Sequence, residues 1–446
     1  MAVGVLGAGA LGLSCALRLA QAGVEVVVLE REPVPGGLAA GFPVGDAYLE
    51  RFYHHLFRTD TTAVALIEEL GLGPRLLWGQ PTTAVLYQGR CWPLDSPLAV
   101  LRFAPLPLLD RLRLGAGAAY LKAVRDYRRL PPTTAAAWLR RRMGPRVYAR
   151  VWEPQLRGKF GDYAETIALP WFWARVHCRT PRLGYLRGGF HHLYTRLAEA
   201  ITARGGRVEL GREVTAIARE PDGTLRVATA AGIYRFEQLA VTLPTRLFLR
   251  LAPTLPAAYR ARWEPGPVYL GAHCVVLALE RPLLRDVYWL SVTDPGFPFL
   301  AVVEHTNFLS PADYGGRHLV YLGNYLPMDH PLYRQSDAQV LAEFVPHLRR
   351  LNPAFTPEWV REAWVWKAPY AQPVVTCDYL RQLPPHTTPW PGVFLANMAH
   401  VYPQDRGQNY SIRLGERLAQ LVLAAARAPA GAGVEPAAAQ PRGRSG

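Results

Sequence analysis

Residues 3–42 read VGVLGAGALGLSCALRLAQAGVEVVVLEREPVPGGLAAGF. A short apolar segment runs into a turn that places Gly7, Gly9 and Gly12 in a GxGxxG pattern, and a run of small residues leads to a second apolar segment, VEVVVLE. This order predicts a βαβ unit. In such a unit the first glycine permits a tight turn, the second lets the backbone approach a pyrophosphate, and the third lets the helix lie close to the sheet. We therefore predict that this stretch binds a nucleotide.

The first helical turn and the end of the second strand complete the predicted nucleotide site. The helix that begins at Ala10 and Leu11 presents free N–H groups and partial positive charge to a phosphate. Glu30 ends the second strand, eighteen residues after Gly12, where its carboxylate can accept hydrogen bonds from both ribose hydroxyls. The same carboxylate would repel a 2′-phosphate, which disfavours NADP.

The residues after Glu30 resemble the corresponding extension of the flavin amine oxidase superfamily. Arg31 follows the acid, and Gly36-Gly37 forms the next turn. The superfamily includes amine oxidases, protoporphyrinogen oxidases, phytoene desaturases and, more distantly, UDP-galactopyranose mutases. The resemblance implies FAD as the cofactor, with the glycine pair beside its pyrophosphate and ribityl chain. Many members carry an arginine directly after the pair, and Leu38 stands there in this chain.

The composition is that of an ordered globular protein with a large core. Of 446 residues, 50% are hydrophobic and 19% are charged, which suggests two or three structural units. The five cysteines are dispersed without the spacing of a metal site, so we expect reduced thiols, a cytoplasmic location and no metal. We read no signal peptide ahead of the first strand and no uncharged apolar run of about eighteen residues, so we expect no membrane-spanning helix.

Periodicity and turn signals predict an α/β fold, α+β overall, in six segments. The resemblance implies a Rossmann-type FAD-binding domain of the glutathione-reductase and amine oxidase kind that is discontinuous along the chain, and we expect a mixed-sheet substrate domain and a helical lobe beside it. The predicted segments are FAD-binding segments at 1–80, 188–254 and 386–427, substrate-domain parts at 81–187 and 255–385, and a disordered tail at 428–446.

Residues 97–160 form a predicted basic helical lobe. Residues 101–160 hold fourteen Lys or Arg and three acids, which is +11 of the formal net charge of +15. Three interpretations stay open: a solvated surface, a docking face for an anionic membrane, or an entrance for an anionic substrate. In protoporphyrinogen oxidases the comparable insertion faces a membrane, which favours peripheral contact with the inner face of the membrane. No nucleic acid partner is expected, because no recognition motif accompanies the charge.

The segment LERFYHHLFRTD, residues 49–60, is the most distinctive local signal. His54 and His55 are flanked by aromatic residues, and a similar element in the sugar mutases of the superfamily lies against the flavin. By that likeness either histidine contacts the isoalloxazine ring. A neutral imidazole there could relay a proton or orient the substrate.

A second candidate group lies in WVWKAPYAQP, residues 364–373. This segment resembles a region of protoporphyrinogen oxidases where aromatic groups approach the substrate side of the flavin, which makes Trp366, Lys367 and Tyr370 candidates. Amine oxidases often hold a lysine that hydrogen-bonds a water at flavin N5. Lys159 and Lys367 are the two candidates for that role in a chain with three lysines.

The C-terminal segment FLANMAHVYPQDRGQNYSIRLGERLA predicts a strand, a loop and a helix whose N-terminus faces the flavin. Members of the superfamily carry an acidic residue after the strand, and Asn397 stands there in this chain. Gly407, Gln408 and Asn409 would open the helix, whose N–H groups can stabilise negative charge on a reduced flavin. The resemblance also implies that the strand GREVTAI brings the backbone of Val214 to the adenine.

These features together predict an FAD-dependent oxidoreductase of the protoporphyrinogen oxidase-like kind. Hydride would pass from a C–H bond of a largely apolar, porphyrinogen or amine-type small molecule to flavin N5, and oxygen or a quinone would reoxidise the flavin. A non-redox nucleotide-sugar mutase and a carotenoid-type desaturase are the alternatives.

Overall fold

The computed structural model describes residues 2–427. The strands are, in chain order, β1 Ala2–Leu6, β2 Glu25–Leu29, β3 Gly41–Val44, β4 Ala47–Glu50, β5 Leu56–Phe57, β6 Leu76–Gly79, β7 Thr83–Tyr87, β8 Arg90–Pro93, β9 Leu183–Leu186, β10 Arg207–Glu209, β11 Val214–Arg219, β12 Leu225–Thr229, β13 Gly232–Phe236, β14 Gln238–Val241, β15 Tyr269–Leu279, β16 Trp289–Val292, β17 Ala301–Glu304, β18 His318–Leu326, β19 Val360–Pro373 and β20 Val393–Leu395.

The α-helices are α1 Ala10–Gln21, α2 Thr61–Glu69, α3 Pro97–Arg102, α4 Leu108–Ala123, α5 Ala135–Arg142, α6 Pro145–Val147, α7 Glu153–Phe160, α8 Leu169–His177, α9 His191–Thr202, α10 Thr245–Leu251, α11 Ala257–Trp263, α12 Asp337–Phe344 and α13 Gln408–Arg427. A π-helical turn, Tyr148–Trp152, joins α6 to α7.

A five-stranded parallel sheet carries the predicted nucleotide-binding unit. Its order is β10-β2-β1-β14-β20, and every neighbouring pair is parallel. β1 and β2 are apolar and buried along nearly their whole length, as strands are when both faces of a parallel sheet are covered. The strands come from residues 2–29, 207–241 and 393–395, so the predicted discontinuity of this domain is confirmed.

Helix α13 packs against α1 and so brings the last part of the described chain to the first. A Cβ atom added at Gly415 of α13 would lie 2.2 Å from the carbonyl oxygen of Leu11 in α1. The two backbones therefore approach as closely as a glycine allows. This contact places the N-terminus of α13 beside the glycine turn that precedes α1.

A seven-stranded mixed sheet forms the second layer, in the order β19-β15-β18-β17-β16-β7-β8. Its neighbours are antiparallel except for the parallel pair β7 and β16. β15 is eleven residues long and buried throughout. The presence of this sheet agrees with the mixed sheet expected from the sequence. The residue numbers at which we divided the chain into domains remain a prediction.

Helices α3 to α8 form the lobe, whose core is rich in aromatic side chains such as Trp138, Trp171 and Phe172. The π-helical turn lies directly before α7, and such turns often occur near functional sites. α7 carries Lys159 to the boundary with the mixed sheet, where the ammonium lies 5.3 Å from the ring centroid of Tyr325 in β18.

Helix starts and hairpin turns occur at residues of turn-forming type. Helix α2 begins directly after Asp60. The hairpin β7–β8 turns at Gln88-Gly89, whose φ angles of 52° and 69° are those that a tight hairpin turn requires. The hairpin β11–β12 turns at Asp222-Gly223.

The predicted helical lobe at 97–160 is not one continuous helix. It is interrupted at 103–107 and 124–134, because prolines in both gaps cannot continue a helix. Val214 begins β11, which pairs in an antiparallel three-stranded sheet. The predicted tail at 428–446 lies outside the described residues. Within residues 2–427, no helix combines the length and apolar character needed to cross a membrane.

Candidate active site

A cavity of about 780 Å³ lies where the parallel sheet, the mixed sheet and the lobe meet. Ligand pockets commonly measure about 300–1,000 Å³. The predicted site residues that line the cavity are Gly7, Gly9, Ala10, Leu11, Glu30, Arg31, Gly36, Gly37, Leu38, His54, His55, Val214, Lys367, Tyr370, Asn397, Gly407 and Gln408. Gly12 and Asn409 do not line it.

The first glycine turn forms one wall of the cavity. Gly7 has φ of +107°, a conformation that favours glycine. A Cβ at Gly12 would lie 1.9 Å from the Gly7 carbonyl oxygen, whereas a Cβ at Gly9 would meet its nearest neighbour at 4.0 Å. Gly12 therefore lets α1 pack against the turn, while Gly9 keeps the wall of the cavity open. The first intrahelical bond joins Leu13 N–H to the Gly9 carbonyl, so the preceding N–H groups of α1 are available to a ligand.

A second glycine turn is joined to the first. Gly36 N–H donates a 2.8 Å bond to the Ala8 carbonyl, and Gly9 and Gly36 form an isolated parallel bridge. Gly37 has φ of +58°, and a Cβ there would lie 3.2 Å from the Gly9 Cα. The two turns thus form a single double-glycine cradle. We define this cradle as Gly7 to Gly9 together with Gly36 and Gly37.

The acid at the end of β2 is held in place by the backbone. Glu30 Oε2 accepts a 2.8 Å bond from Ala8 N–H, and its Oε1 accepts a 3.0 Å bond from Glu32 N–H. One carboxylate therefore fixes the cradle and borders the cavity, where its remaining lone pairs can accept hydrogen bonds from hydroxyl groups. The Arg31 guanidinium lies 3.5 Å from the Glu32 carboxylate.

The N-terminus of α13 forms the opposite wall. Gln408 is buried, its Oε1 accepts a 2.5 Å bond from the Tyr194 hydroxyl, and its Nε2 has no hydrogen-bond partner among residues 2–427. Asn409 does not line the cavity, and its Oδ1 accepts a 3.0 Å bond from Ala63 N–H, so its side chain ties α13 to α2. Neighbouring residues on a helix point about 100° apart, which is why Gln408 and Asn409 face different surroundings.

Asn397 lines the cavity, but its amide is engaged within the protein. Nδ2 donates to the Leu243 carbonyl at 3.1 Å and to Thr245 Oγ1 at 3.2 Å. Oδ1 accepts from Ala399 N–H at 3.0 Å. Asn397 therefore joins the end of β20 to the loop after β14 instead of presenting a free amide.

His54 and His55 both line the cavity, half-buried among aromatic side chains. His54 Nδ1–H donates a 2.6 Å bond to the Phe52 carbonyl, which leaves Nε2 as an acceptor. Burial, with Arg406 adding a smaller effect, lowers the pKa of His54 to about 4. Burial, followed by Arg179 and His54, lowers the pKa of His55 to about 3. Both imidazoles are therefore neutral at pH 7.

A cation cluster lies on the lobe side of the cavity and consists of Lys159, Arg175, Arg179 and Arg406. The ammonium of Lys159 lies 2.6 Å from an oxygen of Asp405. Burial lowers the pKa of Lys159 to about 7, with Asp405 opposing this effect and Arg175 and Arg406 adding to it. Burial alone would raise the pKa of Asp405, but Lys159, Arg175 and Arg406 together lower it.

Sequence reasoning did not single out Arg175, Arg179, Asp405 or Arg406. Two signals could have found them. Asp405 and Arg406 stand directly before the glycine at which the α13 segment opens. Arg175 and Arg179 belong to a stretch, residues 166–198, that contains no Asp or Glu.

The three β19 candidates, Trp366, Lys367 and Tyr370, all line the cavity and also make contacts within the protein. The Lys367 ammonium donates a 2.7 Å bond to the Gln335 carbonyl, so of the two candidate lysines it is Lys159 whose ammonium belongs to the cation cluster. Trp366 packs between Phe42 and the Arg51 guanidinium. Tyr370 has φ of +53°, which is unusual for a bulky residue, and its ring meets Tyr269 edge-on at 5.5 Å.

Known proteins share this fold over nearly the whole chain. A protein from Exiguobacterium sp. 255-15, provisionally assigned as a protoporphyrinogen oxidase, has a TM-score of 0.73 at 17% identity, over 94% of this chain and 98% of its own. Reduced UDP-galactopyranose mutase has a TM-score of 0.73 at 16% identity, over 95% of each chain. At these identities the likeness shows the fold alone.

Sequence comparison gives the family. The 15-cis-phytoene desaturase of Synechococcus elongatus is 27% identical over 257 residues, which is 52% of this chain and 54% of the desaturase. The chain therefore matches about half the length of that curated relative. The sequence profile of the flavin containing amine oxidoreductases matches residues 12–423. Because this match spans most of the chain, the protein belongs to the flavin containing amine oxidoreductase family.

Proposed function

We propose that the protein binds FAD and removes hydride from a C–H bond of a small-molecule substrate, with oxygen or a quinone as the final electron acceptor. One observation carries the proposal: a single cavity connects the double-glycine cradle to neutral His54 and His55 and to the cation cluster. A dinucleotide redox cofactor needs one site that binds its pyrophosphate and a second site where its reactive ring meets the substrate, and both must lie in one cavity.

The residues present fit FAD. The cradle is open at Gly9, where 4.0 Å separates an added Cβ from its nearest neighbour. The N-termini of α1 and α13 both border the cavity, and each offers free N–H groups and partial positive charge. The unpartnered Nε2 of buried Gln408 is a further donor for a carbonyl or phosphate oxygen.

FAD would supply the ring that accepts the hydride. The protein would contribute position, exclusion of water and control of charge. Trp289, Trp366 and Tyr370 line the cavity and would hold an apolar substrate away from bulk water. His54 Nε2 is placed to accept a hydrogen bond. Lys159, whose pKa is about 7, can accept or hold a proton at Nζ near neutral pH.

The cofactor proposal is tested by Gly9→Glu. The added Cβ is tolerated, so the variant should fold, but its carboxylate would lie where the pyrophosphate binds and would repel it. We expect purified Gly9→Glu to lack bound FAD. Gly115→Glu in α4 is the matched control, because a Cβ there meets no atom within 4 Å among the described residues. A Gly9→Glu protein that keeps FAD with an unchanged flavin spectrum would contradict the proposal.

A flavin-dependent mutase, whose flavin has the same oxidation state before and after each turnover, is the second candidate. The cation cluster suits the negatively charged sugar nucleotide that such an enzyme would bind. The two functions differ in electron balance. An oxidoreductase consumes one equivalent of acceptor for each product formed, whereas a mutase needs prior reduction and then consumes none. Oxygen uptake measured against product therefore separates them.

We also propose that the lobe contacts an anionic membrane surface on the cytoplasmic side. Five leucines of the lobe are 43–61% exposed: Leu98, Leu101, Leu108, Leu109 and Leu112. They lie on α3 and on the first turns of α4, among arginines of a lobe with strong positive charge. Apolar side chains that insert and basic side chains that meet lipid headgroups are the two components of peripheral membrane binding.

Sedimentation with vesicles tests this contact. We expect the protein to sediment with vesicles that contain phosphatidylglycerol, less with pure phosphatidylcholine, and less again at high salt. The double variant Leu108→Ser and Leu109→Ser should bind more weakly. Ile233→Ser is the control, because Ile233 is 49% exposed on β13, outside the lobe. Equal binding of all variants to both vesicle types would refute the contact.

A further inference from the structure

The charge balance of the cavity bears on the substrate of the proposed oxidoreductase, and the inference below rests on that function. The cation cluster brings together four basic side chains from α7, from α8 and the residues after it, and from the loop before α13. Lys159 is buried, Arg175 and Arg406 are half-buried, and Arg179 is exposed where it lines the cavity. An unpaired positive charge is more costly the more it is buried. The number of carboxylates near the cluster therefore decides whether its positive charge is balanced.

Asp405 is the carboxylate that the cluster shares, and it is already saturated. Its oxygens accept hydrogen bonds from Lys159 Nζ at 2.6 Å, Arg406 N–H at 3.1 Å, Trp171 Nε1 at 3.3 Å, Arg175 Nη1 at 3.4 Å and Gln372 Nε2 at 3.4 Å. Among the described residues, Asp405 pairs with the side chains of Lys159 and Arg175, and its bond from Arg406 comes from the backbone. The cluster keeps an excess of positive charge toward the cavity.

The side chains of the cluster differ in how firmly they are held. Arg406 is fixed, because its Nε donates to Gln372 Oε1 at 3.0 Å and its Nη2 donates to the Tyr325 hydroxyl. Arg175 makes one long ion pair, at 3.4 Å, with Asp405. Within residues 2–427, the Arg179 guanidinium makes no ion pair with any carboxylate and no side-chain hydrogen bond, although it lines the cavity.

Arg179 lies on the side of the cavity that holds the candidate histidines. Its guanidinium is 6.0 Å from the ring centroid of Phe57, and His55 meets the same ring edge-on at 5.1 Å. The double-glycine cradle, by contrast, offers its ligand backbone N–H groups from α1. A cofactor pyrophosphate held at the cradle would therefore leave Arg179 without an anion.

We propose that the substrate carries an anionic group, a carboxylate or a phosphate, that binds Arg179 and Arg175 at the edge of the cavity. A guanidinium offers paired N–H donors that match both oxyanions. The aromatic walls at Trp289 and Tyr370 suit an apolar body, so the substrate is amphiphilic. The anionic head would set its position, and the apolar part would lie toward His54 and His55.

Calorimetric titration of the FAD-loaded protein tests the proposal with matched probes. Hexanoate and hexanamide differ by one negative charge, whereas hexyl phosphate carries about 1.5–2 negative charges at pH 7 and hexanol carries none. Charge-assisted hydrogen bonds contribute about 1.5–3 kcal/mol, so we expect at least one anion to bind about tenfold or more tightly than its neutral partner. Preference for hexanoate or for hexyl phosphate identifies the head group, and either result supports the proposal.

Two variants and a control locate the interaction. Arg179→Gln should remove most of the preference for the anion, Arg175→Gln should reduce it, and Arg182→Gln should leave it unchanged, because Arg182 is exposed outside the cavity. The FAD content of Arg179→Gln should equal that of the wild type. A preference that survives in both Arg179→Gln and Arg175→Gln would overturn the proposal, as would equal binding of anionic and neutral probes.

The flavin content separates this inference from the proposed function. A wild-type protein that binds no FAD would count against the function, and the titration is then run on the flavin-free protein. A protein that binds FAD but shows no preference for the anions would leave the function intact and refute only the substrate class. Loss of FAD in Arg179→Gln but not in Arg182→Gln would show that Arg179 serves the cofactor, which also refutes the inference.

Discussion

Substituting Gly12 with alanine should damage the fold and the nucleotide site together. The added Cβ would lie 1.9 Å from the Gly7 carbonyl oxygen, so the two atoms must separate by more than 1 Å to reach an acceptable contact. Helix α1 cannot simply retreat, because its Leu11 carbonyl already lies 2.2 Å from the position of a Cβ at Gly415 in α13. Overpacking of this kind typically costs about 1–3 kcal/mol of folding free energy.

The same displacement should weaken FAD binding. A shift of about 1 Å takes the N–H groups of the first turn of α1 out of hydrogen-bonding range of a phosphate, for which donor and acceptor lie about 2.7–3.2 Å apart. One charge-assisted hydrogen bond contributes about 1.5–3 kcal/mol, so its loss should raise the Kd for FAD by about tenfold to a hundredfold.

Two measurements check this prediction: the urea midpoint of the flavin-free protein and the Kd for FAD from flavin fluorescence. Gly9→Ala is the informative comparison, because its Cβ would meet the nearest atom at 4.0 Å. That variant should keep the wild-type midpoint and weaken FAD binding only. The reasoning would be refuted if Gly12→Ala unfolded at the wild-type urea concentration and bound FAD with the wild-type Kd.

Three further predictions concern Lys159, His55 and Asn409. Burial lowers the pKa of Lys159 from an ordinary 10.5 to about 7. Between these two pH values the unfolded chain binds more protons than the folded protein, so the free energy of unfolding rises with pH. Urea unfolding between pH 7 and pH 9 should show this rise in the wild type and a smaller rise in Lys159→Met. His55→Gln should leave the pH profile of the rate unchanged above pH 6, because burial lowers the pKa of His55 to about 3; a lost inflection near pH 6.5 would contradict this. Asn409→Ala leaves the buried Ala63 N–H without its acceptor and should lower the free energy of unfolding by about 1–3 kcal/mol, as measured with urea. Its FAD content should be unchanged. Loss of FAD in this variant would show that Asn409 contributes to cofactor binding.

The parts of the site that sequence predicts well are those that depend on neighbours along the chain. The GxGxxG turn, the acid at Glu30 and the Gly36-Gly37 pair lie within about forty residues, and their conformations follow from residue type. The resemblance of these residues to a flavin family also predicted the discontinuous parallel sheet. Local pattern was therefore enough to locate the nucleotide end of the cavity.

The other end of the cavity depends on contacts that no local pattern contains. Asp405 meets Lys159 and Arg175 across more than 200 residues of chain. The choice between Lys159 and Lys367 depended on where α7 meets the mixed sheet and on which face of β19 Lys367 occupies. Pairing with β15 fixes the register of β19. Two register shifts interrupt this pairing, so counting alternate residues along the sequence could not have given the answer.

The order of strands in the parallel sheet has a consequence for biosynthesis. β20 is made more than 360 residues after β2, and α13 follows it. Until then the surface of α1 that α13 covers lacks its partner on the nascent chain, as does the edge of β14. The βαβ unit therefore waits for its last neighbours through most of the translation of residues 30–427, and a chaperone that shields apolar α1 during that time should raise the yield of folded protein.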